Sequence, residues 1–226
     1  MAPFHYEQRR LENDLITLEP FDPSIHTRSL AEIGKQHPSI FTYTAMPSFS
    51  SEEEFRTNLY DKYIAHSPAE CLYAVIDKKT QQVAGMVGLV STNPVNAVTE
   101  IAIVISPDFH RTYVSSNAVG LLLLYALDPP SKGGLGLRRV EWQCHADNEA
   151  SRRTATRMGF ELEGILRWHR VMPIGTEGVS LSVDALEKRN GTVGEMPGRH
   201  TAFFSIVWEE WEEKRPKVVA QMERSK

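Results

Sequence analysis

The stretch Ser106 to Leu127 (SPDFHRTYVSSNAVGLLLLYAL) runs from a Pro-led turn, through the polar segment His110–Asn117, into an apolar helix. An apolar run, Glu100 to Ile105, comes just before it. A strand, a polar loop and a helix start together suit a phosphate, because first-turn N–H groups have no intrahelical acceptor and point outward. Glycine usually gives such loops close backbone approach, and this loop has none. The donors must then come from the hydroxyls of Thr112, Ser115 and Ser116, the amide of Asn117, the charge of Arg111 and the helix N–H groups. Ser116 or Asn117 acting only as a helix cap is the plainer use, and the two can coexist. Other polar pairs carry less. His145 and Asp147 flank a turn, but no third partner has the spacing of a hydrolase or metal site. Gly133-Gly134-Leu135-Gly136 follows a helix and lacks dinucleotide spacing. Cys71 and Cys144 lie in strand-like runs and read as buried reduced thiols, which fits a cytosolic protein. No Cys/His cluster has ligand spacing, so no metal is expected.

These residues need a scaffold, and 226 residues suffice for one large domain or two small ones. The chain is 41% hydrophobic and 24% charged, so a packed core is expected. A net charge of −4 without a long basic run weighs against nucleic acid as the main partner. Apolar runs fall well short of the roughly 18 residues of a membrane span. The first residues, MAPFHYEQRRLENDL, hold no apolar core, so no secretory leader and a cytoplasmic location are expected. Alternation over Leu15–Asp22 predicts a first strand. Ser24–His37 reads as a helix with Ser24 near its N-cap, and Ser50–Ser67 as a second. In the second, Ser51 and Glu54 form a capping box, and Phe55, Leu59, Tyr63 and Ile64 an apolar stripe. Three antiparallel strands with short turns follow, the last ending at Ile105. Then come the helix to Leu127, a break at Asp128–Gly136, and a strand at Leu137–Ala146. A short helix ends at Gly159, a left-handed C-cap, and a strand runs over Glu161–Met172. A loop-rich insert precedes a final strand that leads into a charged helix interrupted at Pro216. The order β-α-α-β-β-β-α-β-α-β-β predicts a single α+β or α/β domain with a mixed sheet.

That order, with Asn148-Glu-Ala-Ser151, Arg157-Met-Gly159-Phe160, Glu163-Gly164 and Arg167, resembles the GNAT acetyltransferase superfamily. The closer likeness is to the branch that includes the ribosomal-protein N-terminal acetyltransferases. The ending TAFFSIVWEEW (Thr201–Trp211) is similar to that branch's Tyr-Ser…Glu-Trp ending. The resemblance spans roughly residues 13–215. It implies a mixed, mostly antiparallel sheet of about seven strands flanked by helices, an insert at about 173–199 and a C-terminal helix at about 209–224. It also implies acetyl-CoA as cosubstrate and a primary amine, on a small molecule or a protein N-terminus, that attacks the thioester directly. A homodimer is open, and no metal, nucleic acid or membrane partner is implied.

The family's loop after its fourth strand wraps the cofactor pyrophosphate. Set on that loop, His110 stands at the Gln/Arg position, Tyr113 where the first Gly is usual, and Ser115 where Gly or Ala is usual. The ring of Tyr113 must then turn outward or pack beside the cofactor. The implied cofactor set is Ile103, Val104 and Ile105, then His110, Arg111, Thr112, Tyr113, Val114, Ser115, Ser116 and Asn117, then Asn148 and Ser151. A backbone N–H near Ile103 or Val104 would hold the oxyanion. Glu100 matches the strand-four Glu and would take the amine's proton, directly or through water. An α-amine titrates near about 8 and a lysine near about 10.4, so a base helps. Ser151 matches a Ser that bonds the cofactor sulfur and protonates the thiolate. A buried or paired Glu and a first-turn Ser are the plainer readings of those two. Trp168 and His169 are expected in the acceptor groove, with the insert covering the acceptor side. A non-catalytic acyl-CoA-binding or interaction module is the competing reading. Tyr113 in place of glycine favours it, whereas Glu100, Asn148 and Ser151 favour the enzyme.

Overall fold

Period-two alternation becomes β1 (Leu11–Glu12), β2 (Ile16–Pro20), β3 (Cys71–Asp77), β4 (Gln82–Asn93), β5 (Val98–Ile105), β6 (Arg139–His145), β7 (Glu161–Val171) and β8 (Gly198–Val207). The helices are α1 (Pro23–Gln36), α2 (Glu52–Phe55), α3 (Val114–Leu127), α4 (Glu149–Arg157) and α5 (Trp208–Met222). This is a computed structural model, and it describes residues 4–173, 176–179 and 196–224. The insert expected over the acceptor side lies largely outside the described residues. Within it, Val179 bridges Gly198 antiparallel.

All eight strands form one sheet in the order β1-β2-β3-β4-β5-β6-β8-β7. The eighth strand, beyond the seven expected, is the two-residue β1, paired antiparallel to β2. Every neighbour pair is antiparallel except β5 and β6. Those two pair in parallel only over Val98↔Arg139, Thr99↔Val140 and Glu100↔Glu141. Beyond Glu100, β5 keeps β4 on one side and has no ladder partner on the other. That parting of two neighbouring strands opens the sheet from within.

Each sheet face packs its own core. On one face α3, apolar nearly all round, is buried with Leu18, Tyr73, Ile101 and Trp142, and α5 adds Trp211, Val218 and Met222. Asp128, just past α3, accepts from Trp211 Nε1–H at 2.8 Å and from Arg215 at 2.7 and 2.9 Å. Burial pushes its carboxyl up, but these hydrogen bonds together hold it below the usual carboxylate range. This clamp and the buried apolar face carry α5 unbroken through Pro216, where sequence predicted an interruption. Tertiary burial outweighs the lost N–H. On the other face α1, α2 and the segment between them cover β3–β5 through Leu30, Phe41, Phe49 and Phe55.

Local signals were mostly kept. Ser51 Oγ accepts from the Glu54 N–H at 3.1 Å, as an N-cap should. The Glu54 carboxylate turns instead to Ser50, accepting from its N–H at 2.7 Å. α1 is capped by Asp22, which accepts from the Ser24 N–H, so the cap lies two residues before Ser24. The chain continues α2 as a π-helix over Arg56–Ile64. Its wider turn brings Tyr60 inward and leaves Tyr63 47% exposed, shifting the stripe expected from 3.6-residue spacing. Gly159 ends α4 at φ +92°, a left-handed position that suits glycine.

Candidate active site

The parted strands and two helix starts enclose a cleft of about 470 Å³, a usual size for a small-molecule site. Ile103, Val104 and Ile105 form one wall, the His110–Ser116 loop and helix start another, and Asn148 and Ser151 of α4 a third.

The loop takes its shape from local bonds. His110 Nε2 lies 3.0 Å from the Ile105 carbonyl, which ties the loop to the strand end. Thr112 Oγ1 donates to the Phe109 carbonyl at 2.7 Å and accepts weakly from the Val114 N–H at 3.3 Å. Glycine-like backbone is needed at Arg111, at φ +60°, not at Tyr113, which is right-handed at φ −67°. Tyr113 therefore does not obstruct the loop. Its ring leaves the helix start and its hydroxyl donates to Asp77 Oδ1 at 2.6 Å. That bond, with burial second, pushes the phenol up to about 12.

The first turn of α3 faces the cleft. The N–H groups of Ser115 and Ser116 have no acceptor among the described residues, and the first intrahelical-type bond runs from the Asn117 N–H to the Tyr113 carbonyl at 3.0 Å. Arg111 and Arg157 line the same cleft and have no hydrogen-bond or ion-pair partner among the described residues. Arg153 and Arg224 also reach it, the former paired with Glu149 at 2.7 Å. Free helix N–H groups ringed by arginine suit a polyphosphate.

Across the cleft, Asn148 caps α4, its Oδ1 accepting from the Ser151 N–H at 3.0 Å. Trp142 Nε1–H donates to Ser151 Oγ at 3.0 Å. Burial pushes the Cys144 thiol up, opposed by a hydrogen bond with Ser151.

Not every expected site residue reaches this cleft. Val114 is fully buried in the core. Asn117 is fully buried too. Its amide nitrogen donates to the Tyr113 and Met222 carbonyls at 2.8 and 3.1 Å, and its oxygen accepts from Asn13. Each residue advances the helix by about 100°, so Asn117 points at α5 while Ser115 and Ser116 point at the cleft. Glu100 lies on β5 before the strands part and is buried. Burial pushes its carboxyl up to about 7, opposed by Arg170 and Arg199 and aided by Glu141 and Glu70. Trp168 and His169 lie on edge strand β7. Trp168, at φ +51°, occupies a register shift between Leu166 and Arg170 and packs its ring against Gly198. His169 Nδ1 lies 3.1 Å from Thr201 Oγ1.

Sequence reasoning missed Arg153, Arg157 and Arg224 in the cleft, and Arg170 and Arg199 around Glu100; Trp142, which sequence reads as core or groove wall, is both. The i, i+4 spacing of Arg153 and Arg157 marks one face of α4. Arg224 and Arg199 reach their places only through the packing of α5 and β8.

Comparison with known proteins places the chain in a family and a fold. Residues 16–161 match the Acetyltransferase (GNAT) domain family. The Bacillus subtilis (strain 168) protein described as "Uncharacterized N-acetyltransferase YoaA" is 30% identical over 90 residues, 40% of this chain and 48% of that relative. The matched stretch thus spans about half the length of that relative. The crystal structure of a GCN5-related N-acetyltransferase from Brucella melitensis has a TM-score of 0.76 and 30% identity, covering 96% of this chain and 86% of that one. RimL, a ribosomal L7/L12 alpha-N-protein acetyltransferase solved with coenzyme A, shares the fold at a TM-score of 0.65 and 19% identity, covering 88% and 97%. Among the described residues no helix is long and apolar enough to cross a membrane. With the family match covering well over half the chain, this protein belongs to the GNAT acetyltransferase family.

Proposed function

We propose that the protein moves acetyl from acetyl-CoA to a primary amine by direct attack, with the pyrophosphate held at the start of α3. The observation that carries this reading is the pair of unsatisfied N–H groups on Ser115 and Ser116, opening into a cleft that also presents Arg111, Arg157 and Ser151. Acetyl-CoA, when bound, supplies the activated thioester. The unpaired edge of β5 near Ile103 and Val104 offers N–H groups for the carbonyl oxygen as it gains charge. Glu100 removes the amine's proton, directly or through water. A carboxyl held near 7 is suited to that work at neutral pH. Ser151 protonates the departing sulfur. The Trp142 N–H bonds the Ser151 oxygen, which leaves the hydroxyl proton free to turn to the sulfur.

Two findings weaken the non-catalytic alternative. Tyr113 is bound to Asp77 and does not fill the loop, and Glu100 has a base's environment. Calorimetry with acetyl-CoA, followed by thiol release over a panel of amines, tests the proposal. Binding plus amine-dependent release supports it. Binding without release from any amine would favour the non-catalytic module, and absence of binding would end both readings.

A further inference from the structure

On the sheet face that carries Glu100, two buried side-chain donors have no acceptor among the described residues. Arg199 is 7% exposed, and its Nε has no hydrogen-bond partner; the side chain forms no ion pair among the described residues. A guanidinium keeps its charge at any working pH, and a charge buried without a partner is destabilising. His145 is 1% exposed, and its Nε2 is also unpartnered. Its Nδ1 accepts from the Asp147 N–H at 3.1 Å, so that nitrogen carries no proton and the neutral ring bears its hydrogen on Nε2.

The ladder puts both groups on one face. His145 pairs with Thr201 across β6 and β8, and Arg199 lies two residues along β8, on the same side as Thr201. Arg170 pairs with Arg199 across β7 and β8, and its only hydrogen bond among the described residues is a 3.5 Å contact with Gln143 Oε1. Glu100 pairs with Glu141, which shares the face of Gln143 and His145 on β6. Arg170 and Arg199 lie close enough to Glu100 to oppose the rise of its pKa, and Arg199 is felt by His145 as well.

We propose that the acceptor carries a carboxylate close to its amine, and that Arg199, His145 and Arg170 receive that carboxylate while the amine meets Glu100. This rests on the acetyl-transfer reading above. The anions already near do not fill the place. Asp147 Oδ2 lies 3.7 Å from His145 Nδ1, on the ring nitrogen opposite the unpartnered Nε2. Glu141 is bound by Arg139 at 2.7 Å. Glu177 is exposed, is felt by His145, and makes no hydrogen bond among the described residues. Glu100 forms no ion pair with either arginine among the described residues. Two arginines here also repel a polycationic amine. The carboxylate has two possible sources: the α-carboxylate of a free amino acid, or an acidic side chain on the first residue of a peptide.

Matched probes separate the sources: glutamine against glutaminamide, and Glu-Ala-amide against Gln-Ala-amide. Each is titrated calorimetrically into the protein, with and without saturating CoA, while the His145 ring is followed by ¹H–¹⁵N NMR. In at least one pair the acid should bind roughly 10–100-fold tighter than its amide, as a charge-assisted bond to a buried donor requires. The same acid should shift His145 Nε2 with the calorimetric isotherm. Arg199→Met should erase the preference. Arg170→Met, at an exposed position, should lessen it should the first variant fold poorly. Equal binding of acid and amide in both pairs would overturn the proposal, as would acid binding that leaves His145 unmoved or a preference unchanged in Arg199→Met. If acetyl-CoA failed to bind while the acid preference held, the transferase reading alone would fall and the carboxylate site would stand.

Discussion

The N-terminus of α3 leaves the N–H groups of Ser115 and Ser116 open, whereas that of α4, across the same cleft, is largely closed, with the Ala150 N–H alone left without an acceptor among the described residues. At α4, Asn148 Oδ1 accepts from Ser151 N–H, the Asp147 carbonyl accepts from Glu149 N–H, and Glu149 adds its own negative charge to the first turn. At α3 the first turn holds no acidic residue, and Arg111 stands beside it. One helix start keeps its positive end for something outside the chain. The other spends it internally, fixing Ser151 against Trp142. An open end suits binding and a closed end suits positioning, so changes at the two should separate affinity from turnover.

The largest effect should come from closing the open end. Ser115→Glu places a carboxylate on the free N–H groups and beside the expected phosphates. It should weaken acetyl-CoA by roughly 100-fold or more while leaving the melting temperature unchanged or raised, since acid in the first turn stabilises a helix. Calorimetry and thermal melts read both.

The second change acts at the closed end. Ser151→Ala should lower turnover by roughly 10–100-fold, because its proton is needed only as the sulfur leaves. Acetyl-CoA affinity should stay within about twofold. Unchanged turnover would return Ser151 to a first-turn residue held by Trp142.

Much of this comparison was legible in the sequence. Polar residues without glycine before an apolar run located the α3 start, and Asn148 three residues before Ser151 read directly as a cap. Less legible was which way each side chain faces. Asn117 looks like a loop donor in sequence, yet its buried amide links α3 to α5 and Asn13. Tyr113 looked like the residue that had displaced a needed glycine, but the left-handed residue is Arg111. Local spacing shows neither, because both depend on where α5 and β3 pack. Arg199 and His145 meet only through the β6–β8 register, more than 50 residues apart in sequence.

The third prediction concerns Glu100, which belongs to neither helix. Burial holds its carboxyl near 7, above the ordinary value. The ionised form is the one that accepts a proton. kcat/KM should therefore fall as pH drops through 7, to about a tenth of its plateau at pH 6, and level off above. Glu100→Gln should remove that limb of the profile. A limb unchanged in the variant would assign it to the amine instead.

The smallest effect belongs to Arg111. Arg111→Gly and Arg111→Ala remove the same charge and should weaken acetyl-CoA equally, by several-fold, with less loss for a pantetheine fragment that lacks phosphate. They should differ in stability. At φ +60° alanine keeps the left-handed cost that glycine escapes, so the glycine variant should be the more stable by ~0.5–1 kcal/mol in denaturant titration.

The account turns on the open end of α3, and the backbone of Ser115 and Ser116 reports it most directly. Adding acetyl-CoA should move the ¹H–¹⁵N resonances of both amides downfield in proton, saturating at the same concentration as the calorimetric isotherm, as new hydrogen bonds to phosphate oxygen form. Saturable acetyl-CoA binding that leaves both amides where they began would contradict it.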